Sequence, residues 1–386
     1  MKISRYSVAI ILSILCLLLL FGCDSDKTAD LGVDQKDAAS ESSTEESVPE
    51  YLSYNVKNGE VEITDCDTKL LGKVEIPAMI EGCPVTSIGS NAFSGCSSIS
   101  AVIIPESVVN IESLAFSYCD ILKTITIPLN VTYIGDGVFL RCDSLTSINV
   151  DEENTAYSSV DGVLYDKNKT YMIRYPEGKE GEAFEIPESV IVIERGAFAN
   201  CDSLVSIVMP DNLLRIEDNA FSSCRLLSSI SLPESVNYIG LSAFFYCSSL
   251  SEITIPKSVF FIENNVFYGC ESLNSICVDD SNDLFCSVDG VLYDKDMTTL
   301  IWYPTAKAES SFTIPKGIVT VKGFAFCRAL TSVTIPNSVM TISDWAFANC
   351  ESLTDVYYKG TQEEWNAITV GSDNEYLTEA VIHCGG

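Results

Sequence analysis

The stretch LSEITIPKSVFFIENNVFYGC, residues 250–270, contains the pattern that decides the fold. It begins with apolar residues spaced Leu-x-x-Ile-x-Ile, passes through a proline to a second apolar pair spaced Val-x-x-Ile, and ends with Phe-x-x-Cys. β-Branched residues dominate both apolar segments, which favours short strands over long helices. We therefore expect each copy to form a strand, a turn, a second extended segment and a brief helical turn.

The same pattern recurs along the chain, mostly with a step of 23 residues. A unit this short cannot bury its own apolar face, so successive copies must stack on one another. The sequence therefore predicts a β-rich repeat solenoid, an architecture that favours binding over catalysis. The prolines that mark the copies are Pro105, Pro128, Pro187, Pro210, Pro233, Pro256, Pro315 and Pro336.

A small polar residue stands two positions after most of these prolines. Its side chain can form a hydrogen bond with the backbone at the turn that leaves the first strand. Stacked copies then predict a polar ladder inside the coil. The residues at this position are Ser107, Asn130, Ser189, Asn212, Ser235, Ser258 and Ser338.

The run Ile-Pro-x-Ser-Val-x-x-Ile-x-x-x-Ala-Phe-x-x-Cys-x-x-Leu covers most of residues 76–358. It resembles the repeat of the BspA-like leucine-rich-repeat family of bacterial surface proteins. The segment VYYKGT at 356–361, with Glu364 and Trp365, looks like the closing motif of that family. The resemblance implies a right-handed superhelix of leucine-rich repeats. Members of that family are typically exported or attached to the surface, where they engage other proteins or surfaces, and some are described as adhesins. The resemblance implies the same for this chain.

Two long units interrupt the regular step, at about 149–187 and 277–315. Both contain the sequence Ser-Val-Asp-Gly-Val-Leu-Tyr-Asp-Lys, and a Tyr-Pro pair follows it in each. Alternating apolar residues around the Asp-Gly pair predict a hairpin-like enlarged coil. Within a solenoid spanning 50–386, we expect an N-terminal cap at 50–90 and a C-terminal cap at 356–386, because the ends of a repeat core must be covered.

The N-terminus is typical of an export signal. Lys2 and Arg5 precede an apolar stretch that ends in Leu-Phe-Gly-Cys, which resembles a bacterial lipoprotein signal peptide covering residues 1–22. The resemblance implies that Cys23 carries a lipid. The alternatives are an ordinary secretory signal or an uncleaved anchor, although the apolar run is short for a membrane span. Residues 23–49 are acidic and lack aromatic side chains, which predicts a disordered tether.

The formal net charge of −31 excludes some classes of partner. An acidic surface repels the phosphates of nucleic acids and of anionic lipids. We therefore expect no nucleic acid as a partner and contact with the membrane only through the lipid anchor. The expected product is a monomeric protein displayed at the cell surface.

The cysteines follow the repeat. Phased positions put one thiol beside the core Phe of each coil, where parallel side chains have poor geometry for a disulfide bond. We expect a ladder of buried, reduced thiols that pack as small apolar groups. Its members are Cys96, Cys119, Cys142, Cys201, Cys224, Cys247, Cys270 and Cys350.

Cys277 and Cys286 fall outside the ladder. The matching positions of the first long unit hold Asn149 and Ser158, so both cysteines are present in one unit and both are absent from the other. This pattern predicts a disulfide between Cys277 and Cys286, with two free thiols as the alternative. No spacing of cysteine and histidine resembles a zinc site, and we expect no metal.

The sequence offers little for catalysis. His383 is the only histidine and lies close to the end of the chain, so a nucleophile–histidine site would have to be built around it. The numerous carboxylates stand mostly in the tether and in loops, and there is no P-loop or dinucleotide fingerprint. We expect no enzyme activity and no cofactor.

Variable aromatic residues indicate where a partner binds. They cluster in two neighbouring copies, and if they point outward they form one patch suited to a protein partner. The alternative is that several of them pack inside the outer layer of the solenoid. The predicted function is protein binding or adhesion at the cell surface, with a structural envelope protein and a carbohydrate-binding or carbohydrate-hydrolysing protein as alternatives. The residues of the predicted patch are Tyr238, Phe245, Tyr246, Phe260, Phe261 and Tyr268.

Overall fold

The protein is described here by a computed structural model that covers residues 49–385. Over this range the backbone winds into a β-solenoid of about 14 turns, which confirms the predicted fold class. The predicted signal peptide 1–22, Cys23 and nearly all of the tether 23–49 lie outside the described residues. No helix in the described part has the length and apolar character needed to cross a membrane.

Each coil contributes a first strand built from the Leu-x-x-Ile-x-Ile segment. Its apolar residues alternate with outward polar ones, as the burial of Ile125 and Ile127 in TITI shows. These first strands pair in parallel and form four short sheets. Their members are β3 (Gly72–Glu75), β6 (Ile99–Ile103), β8 (Thr124–Ile127) and β10 (Ser147–Val150); β14 (Ala183–Glu185), β16 (Ser206–Val208) and β18 (Ser229–Ile230); β20 (Glu252–Ile255) and β22 (Ser275–Val278); and β26 (Ser311–Thr313), β28 (Ser332–Ile335), β30 (Asp355–Tyr358) and β32 (Val381–Cys384).

The second apolar pair of each regular coil forms a strand of two residues, and these strands join the longer strands of the N-terminal cap and of the long units in a second layer. These strands lie in three sheets, which break after β9 and after β21, just before the two long units. Their members are β1 (Leu52–Lys57), β2 (Glu60–Cys66), β5 (Cys83–Ile88), β7 (Asn110–Ile111) and β9 (Tyr133–Ile134), with β4 (Met79–Ile80) beside β5; β11 (Tyr157–Val160), β12 (Val163–Asp166), β13 (Tyr171–Arg174), β15 (Val192–Ile193), β17 (Arg215–Ile216), β19 (Tyr238–Ile239) and β21 (Phe261–Ile262); and β23 (Phe285–Val288), β24 (Val291–Asp294), β25 (Thr299–Trp302), β27 (Thr320–Val321), β29 (Thr341–Ile342) and β31 (Thr369–Val370).

A column of stacked phenylalanines runs through the core. The ring centroids of Phe198 and Phe221 are 4.9 Å apart, and those of Phe221 and Phe244 are 5.3 Å apart. Tyr175 and Tyr303 take the place of phenylalanine in the long units. The Phe residues lie in hydrogen-bonded turns rather than in the brief helical turns that we expected from the sequence.

The thiol ladder lies beside this column. All eight of its cysteines are buried free thiols. Six of them donate to the carbonyl oxygen of the core Phe one coil earlier, as Cys142 Sγ does to Phe116 O over 3.1 Å. Five of these six carbonyl oxygens, all except that of Phe116, also accept a bond from the backbone amide of the cysteine in their own coil. The ladder therefore connects adjacent coils as well as filling the core.

The small polar residues after the prolines also connect neighbouring coils. Ser235 Oγ donates to the carbonyl oxygen of Asp211 over 2.7 Å, and Asn130 Nδ2 donates to that of Glu106 over 2.9 Å. The polar ladder predicted from the sequence is therefore present. It bonds the preceding coil at the surface, however, and not the inside of its own coil.

Each long unit contains the predicted hairpin. Val160 pairs with Val163 across the two-residue turn Asp161–Gly162, whose residues have φ of 49° and 77°. The second unit repeats this geometry at Asp289 and Gly290, with φ of 50° and 76°. Two successive positive φ values are typical of the tight turn that Asp-Gly favours.

A buried asparagine fixes the start of each hairpin. Asn154 is fully buried, and its Nδ2 donates to the carbonyl oxygens of Pro128 and Val131, at 2.7 Å and 3.0 Å. Its Oδ1 accepts from the amides of Ala156 and Tyr157. Asn282 makes the same four bonds in the second unit.

The two helices of the described residues belong to the last coil, where they lie between β30 and β31 and between β31 and β32. Helix α1 (Gln362–Asn366) begins at Thr361, whose side chain forms a capping box with Glu364. Helix α2 (Glu375–Thr378) follows the buried Asn374, whose Oδ1 accepts the amide of Phe347 at 2.8 Å.

Candidate functional site

One column of the second layer carries exposed aromatic side chains. In the parallel register of this sheet Arg215 lies opposite Tyr238, and Tyr238 lies opposite Phe261. The rings of Tyr238 and Phe261 stack with centroids 5.8 Å apart and planes 7° from parallel. The Cζ atom of Arg215 lies 4.0 Å from the Tyr238 ring centroid, and its Nε donates to Glu217 over 2.6 Å. We call Arg215, Tyr238, Phe260 and Phe261 the aromatic strip.

The aromatic strip is open to solvent at one end. Phe261 is 45% exposed, and its neighbour Phe260 is 54% exposed. Large apolar side chains that adjoin one another at the surface are typical of binding sites. The cation–π contact of Arg215 holds the Tyr238 ring against its neighbour.

The other three aromatic residues of the predicted patch are packed together elsewhere. Tyr268 is only 3% exposed, lies over Phe245 at 5.2 Å, and accepts a hydrogen bond of 3.1 Å from Asn349 Nδ2. Tyr246 meets the edge of Phe326 at 5.7 Å. The prediction of one outward patch is therefore wrong for Tyr268, and the six side chains belong to two separate clusters.

Cys277 and Cys286 contact different parts of the second long unit. Cys277 is exposed, and its Sγ lies 3.8 Å from Ser275 Oγ. Cys286 is half-buried, and its Sγ lies 3.4 Å from the carbonyl oxygen of Asp294 and 3.7 Å from Met297 Sδ. Both are free thiols in this structure. This geometry does not support the predicted disulfide.

Both long units have a shortened corner, the segment that joins the second strand to the core aromatic residue. Four residues separate Ile193 from Phe198 in a regular coil, whereas two separate the equivalent Met172 from Tyr175. The short corner leaves a gap between the corners of the coils on either side. Each long unit therefore lies beside a groove.

The first groove has a volume of about 920 Å³. One wall is the corner of the preceding coil, residues 135–141, and the other is the corner of the following coil, residues 194–200. Ile173 and Arg174 lie between these walls. Ile134 and Leu114 add apolar surface, whereas Asp136 and Glu194 bring carboxylates. This volume and mixed lining are typical of ligand sites.

A buried ion pair lies beneath the first groove. Arg174 and Glu177 are each 7% exposed, and the Arg174 guanidinium donates to Glu177 Oε1 and to the carbonyl oxygen of Gly196. Glu177 Oε1 also accepts from the Arg141 amide at 2.9 Å and from Asn200 Nδ2 at 3.2 Å. Burial raises the pKa of Glu177, and the nearby Arg174 opposes that effect. The Arg174 Nε and the Glu177 Oε2 have no partner among the described residues.

The second groove is smaller, about 480 Å³, and differs in chemistry. Trp302 stands where the first unit has Arg174, and Thr305 stands where it has Glu177. Trp302 fills space against the edge of Phe267, with centroids 6.3 Å apart. Neither groove was predicted from the sequence. The sequence feature that could have revealed them is the replacement of Arg174 and Glu177 of the first long unit by Trp302 and Thr305 in the second.

The repeat also matches a known family. The profile of the BspA type leucine-rich-repeat region matches residues 68–166, 177–287 and 305–368, in six copies. These ranges cover most of the chain.

The chain belongs to the BspA-type leucine-rich-repeat family.

Several solved bacterial proteins are similar to this BspA-type chain. A leucine-rich cell surface protein from Faecalibacterium prausnitzii shares 33% identity over 78% of this chain and 62% of its own, with a TM-score of 0.40. A leucine-rich-repeat protein from Eubacterium ventriosum shares 20% identity over 85% of this chain and 92% of its own, with a TM-score of 0.45. The pneumococcal vaccine antigen PcpA shares 19% identity over 88% of this chain and 98% of its own, with a TM-score of 0.44. A search of curated proteins finds no match.

The chain spans 62% of the length of the Faecalibacterium protein. The TM-scores lie below 0.5, so the family assignment depends on the repeat sequence and not on superposition.

The only histidine of the BspA-type chain lies at the surface of the C-terminal cap. His383 Nε2 lies 2.7 Å from Asp355 Oδ1, and its ring stacks on Tyr357 at 4.7 Å. The hydrogen bond from His383 lowers the pKa of Asp355. No group of three potential metal ligands occurs within residues 49–385.

Proposed function

We propose that this BspA-type chain is a lipid-anchored surface protein that binds a protein on another cell or surface, without catalysis. In this proposal residues 1–22 are removed as a signal peptide and Cys23 carries the lipid. Residues 23–49 then tether the solenoid, which binds its partner through the aromatic strip. The sequence of the export signal and the family of the repeat support the location.

The exposed stack of Tyr238 on Phe261 carries the proposal for binding. Two aromatic rings held parallel on neighbouring rungs present a rigid apolar surface, and ordering them on binding has a low entropic cost. Neither ring is needed to fill the core, because Phe261 is 45% exposed and the core column is formed by other phenylalanines.

A double substitution tests the binding role. The Tyr238→Ser, Phe261→Ser variant is expected to lose capture of a surface protein from intact host cells or neighbouring bacteria by at least tenfold, with an unchanged circular dichroism spectrum. Tyr133→Ser is the matched control, because Tyr133 holds the same position in another sheet and is 46% exposed. Equal capture by the double variant and the parent would remove the strip from the proposal. Capture of glycans alone would favour the carbohydrate alternative.

The anchor is tested separately. Cys23→Ala is expected to abolish incorporation of an alkyne-tagged fatty acid in living cells and to release the protein from the membrane fraction. Tagging that persists in this variant would place the lipid elsewhere, and a parent chain that takes up no label would contradict the lipoprotein proposal.

A further inference from the structure

A ladder of backbone bonds joins the corners of successive coils. The amide of the core Phe in one coil donates to the carbonyl oxygen just before the core Phe of the next coil. Phe116 N donates to Val138 O over 3.0 Å in this way, and Phe221 N donates to Ala243 O over 2.8 Å. At the end of the solenoid the Asn374 side chain substitutes for the missing coil.

The ladder is open beside the first long unit. The amide of Phe139 has no hydrogen-bond partner within residues 49–385, and neither has the amide of Gly137, whose counterpart Leu114 N donates to Asp136 O. Across the groove, the carbonyl oxygen of Arg195 accepts no hydrogen bond from the described residues. The shortened corner at 173–174 does not reach these groups. The two amides on one wall and the carbonyl oxygen on the other therefore lack the hydrogen bonds that a full corner would form with them.

Side chains already form some of the hydrogen bonds that a full corner would form with its backbone. The Arg141 amide donates to Glu177 Oε1, whereas its counterpart Tyr118 N donates to the backbone of the next coil. The Arg174 guanidinium donates to Gly196 O on one wall and to Phe139 O on the other, the latter over 3.4 Å. Above these two side chains the groove has a volume of about 920 Å³. A polypeptide can supply the missing groups, because it carries carbonyl acceptors and amide donors in regular alternation.

The charge of the groove selects among polypeptides. Glu194 is half-buried on one wall and makes no ion pair with the described residues, and the same is true of Asp136 and Arg141 on the other wall, so the unpaired carboxylates outnumber the unpaired cation. Among residues 49–385, the only ion pair on either wall is that of Arg195, which is bound to Asp218 at 2.7 Å. Burial, followed by the neighbouring Glu217, raises the pKa of Glu194. A cationic side chain beside Glu194 would offset its repulsion from Glu217. A basic segment is also attracted to a chain with a net charge of −31.

We infer that the first groove binds a short, basic polypeptide segment of a partner protein, which runs alongside residues 136–140 and completes the interrupted backbone ladder. Its carbonyl oxygens accept from Gly137 and Phe139, its amide donates to Arg195 O, and a Lys or Arg side chain lies against Glu194. The residues that line the groove do not include those of the aromatic strip, although Arg215 of the strip is near enough to lower the pKa of Glu194.

The test uses a defined probe. A fluorescein-labelled peptide of eight alternating Lys and Val residues, blocked at both ends, is titrated into the full chain in detergent and followed by anisotropy. Saturable binding is expected, with at least tenfold weaker binding of the peptide that has Glu in place of Lys. A peptide N-methylated at alternate amides is also expected to bind at least tenfold more weakly. Equal affinity for all three peptides would overturn the inference.

The second long unit supplies the matched variants. Lys322 occupies the position of Glu194 there, so Glu194→Lys introduces a side chain that the fold already accepts. This variant is expected to bind the basic peptide at least tenfold more weakly. Lys322→Glu and the exposed Glu106→Lys should each change the affinity less than twofold. A loss as large in Glu106→Lys as in Glu194→Lys would show attraction to the acidic chain as a whole and would contradict a local site.

Hydrogen exchange locates the contact. The peptide is expected to slow exchange of the Phe139 amide at least tenfold and to leave that of Phe267, its counterpart in the second groove, unchanged. Binding without protection of Phe139 would refute backbone pairing. The Tyr238→Ser, Phe261→Ser variant should bind the peptide with the affinity of the parent, so that failure of the strip and failure of the groove give different results.

Discussion

The thiol of Cys224 lies 3.0 Å from the carbonyl oxygen of Phe198 in the preceding coil. That oxygen already accepts the amide of Cys201 at 3.1 Å, so it is bonded once within its own coil and once from the next. A cysteine is small enough to fit beside the Phe column and still brings a donor. This relationship explains why the repeat holds Cys at a position where Ala or Val would also fill space.

Cys224→Ala is expected to lower the free energy of unfolding by about 1–3 kcal/mol, because it removes a buried hydrogen bond and leaves a small void. Urea unfolding followed by circular dichroism measures this loss. Cys277→Ala is the control, since Cys277 is exposed and lies outside the ladder. Equal stability of Cys224→Ala and the parent would show that the thiol contributes only volume.

The thiols should differ sharply in reactivity. Burial raises the pKa of Cys224 well above its ordinary range, so its thiol stays protonated where a free cysteine forms the reactive thiolate, near pH 8.5. Brief treatment of the native protein with iodoacetamide at about that pH is expected to label Cys277 and to spare the ladder. Mass mapping of tryptic peptides reads the outcome. A Cys277 that becomes reactive only after reduction would show that the disulfide to Cys286 forms after all.

The two buried asparagines should be among the most sensitive positions of the protein. Asn154→Ala leaves the carbonyl oxygens of Pro128 and Val131 and two backbone amides without their bonds. We expect a loss of about 3–5 kcal/mol, measured by urea unfolding. Asn282→Ala should cost about as much, whereas the exposed Asn168→Ala should cost less than about 0.5 kcal/mol. A small effect of Asn154→Ala would mean that water replaces its side chain.

The repeat predicted the fold because its signal is periodic and each copy repeats the same packing. The core Phe column, the thiol positions and the Asp161–Gly162 hairpin all follow from residues that recur in phase. What the sequence did not reveal depends on interruptions of the period. The short corners at Arg174 and Trp302 change which coils meet. The corner before Phe324 is also two residues shorter than a regular corner, which allows Tyr268 to reach Asn349.

The same reasoning explains the error in the predicted aromatic patch. Tyr238 and Phe261 lie on successive rungs at one register position, and the step of the repeat placed them correctly. Tyr268 lies at a corner, where the distance to the next corner depends on the length of the coils between them. Sequence spacing within one pair of coils does not contain that information.

Stability near Glu194 should depend on pH in one direction. Burial, and then repulsion from Glu217, raise the pKa of Glu194, so the folded state holds a proton that the unfolded chain has already lost. Ionisation of Glu194 therefore lowers stability as the pH rises through the raised pKa. Glu194→Gln is expected to be more stable than the parent at about pH 7, by less than about 1 kcal/mol because solvent screens the half-buried group. The difference should vanish below a pH of about 4, where the carboxyl is protonated in both states.

Thermal unfolding across this pH range measures the effect. The exposed Glu106→Gln is the control and should show no such dependence. An advantage of Glu194→Gln that grows toward acidic pH would contradict the assigned direction.

The buried pair Arg174–Glu177 should be strongly coupled. Arg174→Trp leaves the Glu177 carboxylate buried without its cation, and we expect a loss of about 3–5 kcal/mol in the free energy of unfolding. Glu177→Thr should cost a similar amount, because it leaves the guanidinium without its carboxylate. The double variant reproduces the Trp302 and Thr305 arrangement of the second long unit, so it should lie within about 2 kcal/mol of the parent.

A double-mutant cycle in urea therefore has an expected coupling of about 4 kcal/mol or more, because the two single losses together exceed the loss in the double variant by that amount. Additive losses would show that the two side chains act on the fold independently, each through its own bonds to the Arg141 amide and the Gly196 carbonyl oxygen. The coupling also has a consequence for the first groove, since the pair maintains the space that Trp302 fills in the second. A double variant that is stable but no longer binds the basic peptide would connect the charged floor to the groove above it.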